Sequence, residues 1–243
     1  MAANSSSSSS KELKGFGELR LIYKGAEADV YESTWHGYHV VVKRRIPKAY
    51  RIDALDKELR KRRTIFEAQL LMDAKRMGVP APTVMMLDPY EALLVMTFVE
   101  GRRLREKLEE VDDSEATALC HRLGETVARL HEVGIQHGDL TTSNMILASD
   151  GRIFLIDFGL GGYDSDSEAL GVDILLVKRA LMSAHYKKAR RAYEAFLEGY
   201  EERLGKERAR EVIAKVREIE ERGRYVDRVS QGRIRLKVRN SQK

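Results

Sequence analysis

Along the chain, apolar positions first recur with the period of strands and later with that of helices. Leu19-Arg20-Leu21-Ile22-Tyr23 and Val30 to Trp35 are two β-rich runs around one glycine, Gly25, and predict a hairpin. His36-Gly37-Tyr38 turns the chain into a third strand, His39 to Lys43. Residues 53–77 predict a long helix, with Asp53 as N-cap, Gly78 and Pro80 as its stop, and Leu55, Leu59, Ile65, Leu70 and Leu71 on its buried side. Pro80 to Val84 begins a strand, Asp88-Pro89-Tyr90 is a turn, and Ala92 to Met96 is the next strand. A short helix follows at Leu104 to Leu108, then a longer one from Asp113 or Ser114 to Val133, with Leu119, Leu123, Val127 and Leu130 on its core face. Asn144 to Leu147 and Ile153 to Ile156 form a second hairpin around Ser149-Asp150-Gly151. The remainder reads as helix at 173–183, 185–204 and 206–222.

The second hairpin carries the candidate chemistry. Asp139 and Asn144 lie on the loop that enters it and Asp157 leaves it, so all three can converge. Phosphoryl transfer from a nucleotide needs Mg²⁺ held by hard oxygen ligands, which Asn144 and Asp157 supply. Asp139 is left to orient or deprotonate an attacking hydroxyl or water. The order His137, Asp139, Leu140, Asn144, then Asp157-Phe158-Gly159, matches the catalytic-loop signature of kinases. Two unrelated acidic turns are the bland alternative, and the compound pattern disfavours them.

Within that frame the opening strands read as a small lobe. Lys43 ends a strand and would contact the α- and β-phosphates of ATP. The loop before the second strand has Gly25 alone where kinases carry G-x-G-x-x-G, and Glu27 would bring negative charge near those phosphates. Glu67 is the acid expected to partner Lys43; Glu58 is the rival, in a segment crowded with Arg60, Lys61, Arg62 and Arg63. Those cations, with Lys43, Arg44, Arg45, Lys48 and Arg51, make a basic region that is either a solvated face or a surface for an anionic partner such as RNA. Met96 to Gly101 reads as the linker, where adenine would bond the backbone around Phe98 and Val99.

Composition narrows the class. With 243 residues, 43% hydrophobic and 33% charged, the chain suits one two-lobed domain or two small ones and can bury a sizeable core. No run is long and apolar enough to span a bilayer and no secretory core opens it, so a cytoplasmic protein is expected. A single cysteine, Cys120, excludes an internal disulfide framework, and its helical context suggests a buried thiol. Residues 4–10, an asparagine and six serines, are low-complexity and expected to be disordered.

KGAEADVY, VVVK, RRTIFEAQLL, the H-G-D-L-T-T-S-N loop and I-D-F-G-L-G together resemble the small atypical kinase of the KEOPS complex, the PRPK family, in an archaeal-length form, over residues 15–225. RIO-type kinases and aminoglycoside phosphotransferase relatives share the H-G-D-L and I-D patterns but not the flanking sequence. The resemblance implies an ATP-dependent Ser/Thr kinase or ATPase supporting threonylcarbamoyladenosine formation on tRNA. It implies docking on the threonylcarbamoyl-transferring subunit and on a small regulatory subunit. Asp173 resembles the helix aspartate that ties down the catalytic loop, and the chain reads as standing alone rather than fused to the transferase.

Beyond Gly159 only Phe158 to Val172 separate Asp157 from Asp173, with no A-P-E, which leaves no platform for a peptide. Thr141 stands where common protein kinases carry a lysine, so one cation at the transferred phosphate is missing. An intrinsic ATPase or a partner-supplied acceptor is therefore favoured, with autophosphorylation as a side activity for which Ser165 and Ser167 are candidate acceptors. From Arg222 to Lys243 the chain is strongly basic, either a frayed terminus or a contact to tRNA phosphates.

The expectation is thus an α+β, two-lobed, protein-kinase-like fold with a β-rich N-lobe at 13–97, a minimal helical C-lobe at 98–223, a disordered Ser-rich stretch at 1–12 and a basic tail at 224–243. ATP lies between the lobes and Mg²⁺ on Asn144 and Asp157. A small-molecule phosphotransferase and a non-catalytic scaffold are the competing readings.

Overall fold

The computed structural model describes residues 15–222, so the serine run and nearly all of the basic tail lie outside the described residues. The fold is α+β. It divides into two compact units, one formed by residues up to 64 with Val84–Phe98, the other by Ile65–Thr83 and the chain from Val99 onward.

The first unit is an antiparallel sheet of β1 (Arg20–Lys24), β2 (Ala28–Trp35), β3 (Tyr38–Arg45), β4 (Val84–Asp88) and β5 (Leu93–Thr97), in the order β1-β2-β3-β5-β4. The turn joining β2 to β3 places His36 (φ 50°) and Gly37 (φ 82°) in the left-handed region, as a tight two-residue hairpin requires. Alternation along β3 buries Val40 and Val42 against Leu93 and Val95, with Trp35, Tyr31 and Met86 packed around them. β4 starts at Val84, four residues later than the Pro80 start expected. Pro80 and Pro82 lack the N–H a ladder needs, and the strand waits until they are passed.

Helix α1 (Asp53–Arg76) contributes residues to both units. Its buried positions include Asp56, Thr64, Glu67, Ala68, Leu70, Leu71 and Ala74. Leu55, expected inside, is 53% exposed. The inward place in that first turn belongs to Asp56, which accepts from Arg60 Nε at 2.7 Å and from the backbone N–H of Lys48 at 3.3 Å.

The second unit comprises β6 (Gly101–Arg103), α2 (Leu104–Glu110), α3 (Asp113–Glu132), β7 (Ile135–Gln136), a 3₁₀ turn (Thr142–Asn144), β8 (Met145–Ala148), β9 (Ile153–Leu155), β10 (Gly162–Tyr163), α4 (Ser167–Ala184), α5 (Ala189–Leu204) and a helix α6 over 206–222. Asp112, one residue before the expected cap, accepts from Glu115 N at 2.8 Å and starts α3. Asp166 caps α4 in the same way, and this starts the helix six residues ahead of the expected Asp173. Cys120 is fully buried in α3, and burial pushes its thiol up to about 12.

A single boundary at residue 97 was expected, yet 65–83 packs with the second unit. The reason is its partners: Tyr163 donates to Asp73 at 2.5 Å, Arg129 to the Gly78 carbonyl at 3.0 Å, and Leu155 N to the Pro80 carbonyl at 2.9 Å. α3 and α5 cross at two glycines. A β-carbon on Gly124 would stand 2.1 Å from the Phe196 carbonyl oxygen, and one on Gly199 would stand 2.1 Å from that of His121.

Candidate active site

The hairpin predicted around Ser149-Asp150-Gly151 forms from β8 and β9, paired antiparallel with Met145 opposite Leu155. It brings the entering and leaving loops together: the carbonyl of Asn144 accepts from Ile156 N at 3.0 Å, one residue before Asp157. Asn144 Nδ2 donates to the Asp139 carboxylate at 2.7 Å and to its backbone carbonyl at 3.0 Å. With the nitrogen so engaged, the Asn144 side chain is left with its Oδ1 as acceptor. Asp157 takes a left-handed backbone (φ 64°), a conformation costing a non-glycine residue about 1 kcal/mol and concentrated at functional sites. Its Oδ1 accepts from Gly159 N at 3.2 Å.

The loop is held from behind by a buried polar network. Asp173, with no exposed surface, accepts the backbone N–H of His137 at 2.6 Å on one oxygen and that of Gly138 at 2.8 Å on the other. The His131 imidazole contacts the same carboxylate at 3.2 Å and the Tyr200 hydroxyl at 2.8 Å. α3, α4 and α5 thereby all bear on one loop. His137 is fully buried: its Nδ1 accepts from Asp139 N at 3.3 Å and its Nε2 lies 3.1 Å from the Ile156 carbonyl. A neutral ring protonated on Nε2 satisfies both partners, and burial pushes this imidazole below the usual histidine value. Gly138 (φ 80°) is obligatory, because a β-carbon there would meet the Leu160 carbonyl oxygen at 2.1 Å.

In the first unit, Lys43 lies on the central strand, paired with Val30 on one side and Leu94 on the other, and only 8% of it is exposed. A strand-end lysine in solvent does not describe it. Gly25 N bonds the Ala28 carbonyl at 3.0 Å, and a β-carbon at Gly25 would come within 2.7 Å of that oxygen, so the single glycine makes a tight turn. Glu27 is ion-paired with Arg63 and lies 3.5 Å from Arg45; the Arg63 hydrogen bond holds its carboxyl below the usual range. Its negative charge is therefore answered inside the unit. The basic region is likewise internally paired in good part: Arg60 and Arg51 face Asp56, Arg44 faces Glu91 at 3.2 Å, and Lys61 lies over the Tyr90 ring.

Phe98 is anchored to the sheet of the first unit. Its backbone N–H donates to the His39 carbonyl at 3.0 Å and its ring stacks on His39 at 4.0 Å, so that N–H is committed to the sheet and does not serve adenine. Glu67 is 2% exposed while its rival Glu58 is exposed, which is the burial expected of a helix acid with a structural or catalytic task.

Comparison with known proteins adds a decisive observation. A family model described as the protein kinase domain matches residues 16–186. The KEOPS complex subunit Bud32 of Pyrococcus abyssi is 46% identical over 216 residues, covering 86% of this chain and 98% of that protein. The chain belongs to the Bud32 family of protein kinases. A further Bud32-family relative, the probable serine/threonine-protein kinase BUD32 homolog of Archaeoglobus fulgidus, is 44% identical over 87% of this chain and 99% of its own length. The probable bifunctional tRNA threonylcarbamoyladenosine biosynthesis protein of Methanothermobacter thermautotrophicus is 43% identical over 85% of this chain, which spans only 37% of that longer protein.

Some features of this Bud32-family site are poorly visible in sequence. The Arg63 and Arg45 partners of Glu27 are 36 and 18 residues away, and nothing local announces them. The Tyr200–His131 link lies between two helices whose order in space the sequence does not state. Gly124 and Gly199, in contrast, are glycines inside strongly helical stretches, which is a readable sign of close packing.

Proposed function

We propose that this chain is an ATP-dependent Ser/Thr kinase and ATPase of the KEOPS complex, supporting threonylcarbamoyladenosine modification of tRNA. The observation that carries the reading is the Asn144–Asp139 hydrogen bond, in a loop whose backbone Asp173 holds. Asn144 Oδ1 and the Asp157 carboxylate are the hard oxygen donors that fit Mg²⁺. When bound, that ion would neutralise charge on the phosphate oxygens. Asp139 positions the attacking hydroxyl or water and accepts its proton. Lys43 and Glu67 take the roles of the strand lysine and helix glutamate of the kinase scheme. Gly25 and Glu27 border the phosphates, and the backbone of Val99, with the Phe98 carbonyl, addresses the adenine.

The names of the relatives support membership of a complex and a tRNA-related role; on this reading the partners are the threonylcarbamoyl-transferring subunit, a small regulatory subunit and tRNA, approached by the basic tail at 224–243, in the cytoplasm. Rapid folding-back of the chain after Gly159 favours hydrolysis or autophosphorylation: β10 pairs with β7, and α4 begins four residues after β10 ends.

The test is ATP turnover with and without the transferase subunit, in the wild type, Asp139→Asn and Asp157→Ala. Partner-stimulated turnover lost in both variants supports the proposal. Turnover of a sugar or antibiotic would instead indicate a small-molecule phosphotransferase. Intact assembly without any turnover would indicate a scaffold.

A further inference from the structure

A groove of about 540 Å³ lies within the second unit, lined by the end of α1, by α3 and by the β8–β9 turn. It has no part in the site above. Four cations line it, Lys75, Arg122, Arg129 and Arg152, against two carboxylates, Glu125 and Asp150. Among the described residues, Arg152 is the one of the four matched by an acid, through Asp150 at 2.6 Å.

The other three cations are held differently. Arg129 Nη1 donates to the Gly78 carbonyl at 3.0 Å, Arg122 Nη1 to the Gly151 carbonyl at 3.1 Å, and Lys75 Nζ to the Ala81 carbonyl at 3.3 Å. Several other arginines of this unit end on carboxylates, as Arg102 does on Glu110 and Arg203 on Glu132, while Arg103 and Arg208 also reach carbonyls, of Ser143 and Ser165, but outside this groove. A carbonyl fixes a guanidinium in place without cancelling its charge, and four of its five N–H donors remain for another acceptor. Gly78 and Gly151 are both left-handed turns, so the two arginines reach turn backbones that are themselves fixed. The outcome is three positioned positive charges around one concave surface.

We propose that this groove binds a phosphate group, with Arg122 and Arg129 as the bidentate donors and Lys75 as the supporting charge. That phosphate comes either from an RNA backbone or from a free oligophosphate, and only the RNA arm rests on the tRNA reading given above. A planar guanidinium matches two phosphate oxygens at once, which makes the arginines the discriminating residues.

The experiment titrates the ¹⁵N-labelled full chain with sodium pyrophosphate at constant ionic strength. Saturable shifts are expected at Gly78 and Gly151 and at the Arg122 and Arg129 Nε–H signals, separate from any at Gly138 and Gly159. Arg122→Gln, at an exposed position, should weaken the groove binding about tenfold with the melting temperature little changed; Arg129→Gln and Lys75→Gln provide second and third tests. ATP turnover of Arg122→Gln should be unchanged, so a failure here is distinguishable from a failure of the kinase reading. In the assembled complex, loss of about one unit from the salt slope of tRNA affinity in Arg122→Gln assigns the phosphate to RNA, and an unchanged slope with intact pyrophosphate binding assigns it to a small oligophosphate. Shifts confined to Gly138 and Gly159, or groove shifts equal in wild type and all three variants, overturn the proposal.

Discussion

Asn144 donates its side-chain nitrogen to the Asp139 carboxylate at 2.7 Å, and this one bond determines what each residue can do. It points the Asn144 oxygen away from Asp139 and leaves Asp139 a second oxygen for a substrate proton. Replacing Asn144 by alanine removes both effects, and ATP turnover should fall by about 100-fold or more with little change in thermal stability. A steady-state ATPase assay with a melting curve checks this; normal turnover would refute the assignment.

Asp173 receives two backbone N–H groups and a histidine in a fully buried setting. In Asp173→Asn, an amide nitrogen would face one of those N–H donors and the negative charge would vanish. Roughly 3 kcal/mol of stability should be lost, measured by urea denaturation, together with turnover. Tyr200→Phe removes only the outer link and should cost about 1 kcal/mol.

The sign of the pH dependence follows from His137. Its folded-state pKa lies below the ordinary 6.5, so the unfolded chain takes up the proton first as pH falls. Stability contributed by this residue is complete above 6.5 and is lost as pH falls below it, and His185, also pushed down by burial, acts in the same direction. Urea midpoints at about pH 8 and about pH 5.5 should differ, the latter being lower, and the difference should shrink in His137→Asn.

Glu27 and Arg63 form a pair beside the Gly25 turn. Glu27→Ala removes the only negative member and should tighten ATP binding about fivefold, a change of ~1 kcal/mol, while Arg63→Ala should weaken it. Nucleotide titration by calorimetry reads both, and shifts of the same sign in the two variants would contradict the electrostatic account.

The α3–α5 crossing offers a packing test. Gly199→Ala places a methyl group 2.1 Å from the His121 carbonyl oxygen and should destabilise the fold by roughly 3 kcal/mol, since backbone must move to admit it. An unchanged melting temperature would mean the helices separate more easily than their spacing implies.

How far the residues speak for themselves varies with the range of the interaction. Asp139, Asn144 and Asp157 flank one hairpin, and turn chemistry with strand period made that hairpin readable. Asp173 lies inside helix α4, and only the resemblance to the kinase family, not any local pattern, singled it out. Leu55 misled because a local apolar stripe cannot register that Asp56 gathers Arg60, Arg51 and the Lys48 backbone from outside its own turn. The Phe98 N–H bond to His39 was not readable, because His39 belongs to a strand almost sixty residues earlier. The 65–83 segment is misplaced by any contiguous reading, since its contacts to Tyr163, Arg129 and Leu155 are made by chain that comes much later.

Gly138 has one more implication. Common protein kinases carry arginine between the histidine and aspartate of this motif, and activation loops are commonly latched through arginine–phosphate pairs. Here the Leu160 carbonyl fills the volume where such a side chain would have to begin. The catalytic loop is therefore braced permanently from within the protein's interior, and whatever tells this enzyme when to act must arrive by a route other than that familiar phosphate latch.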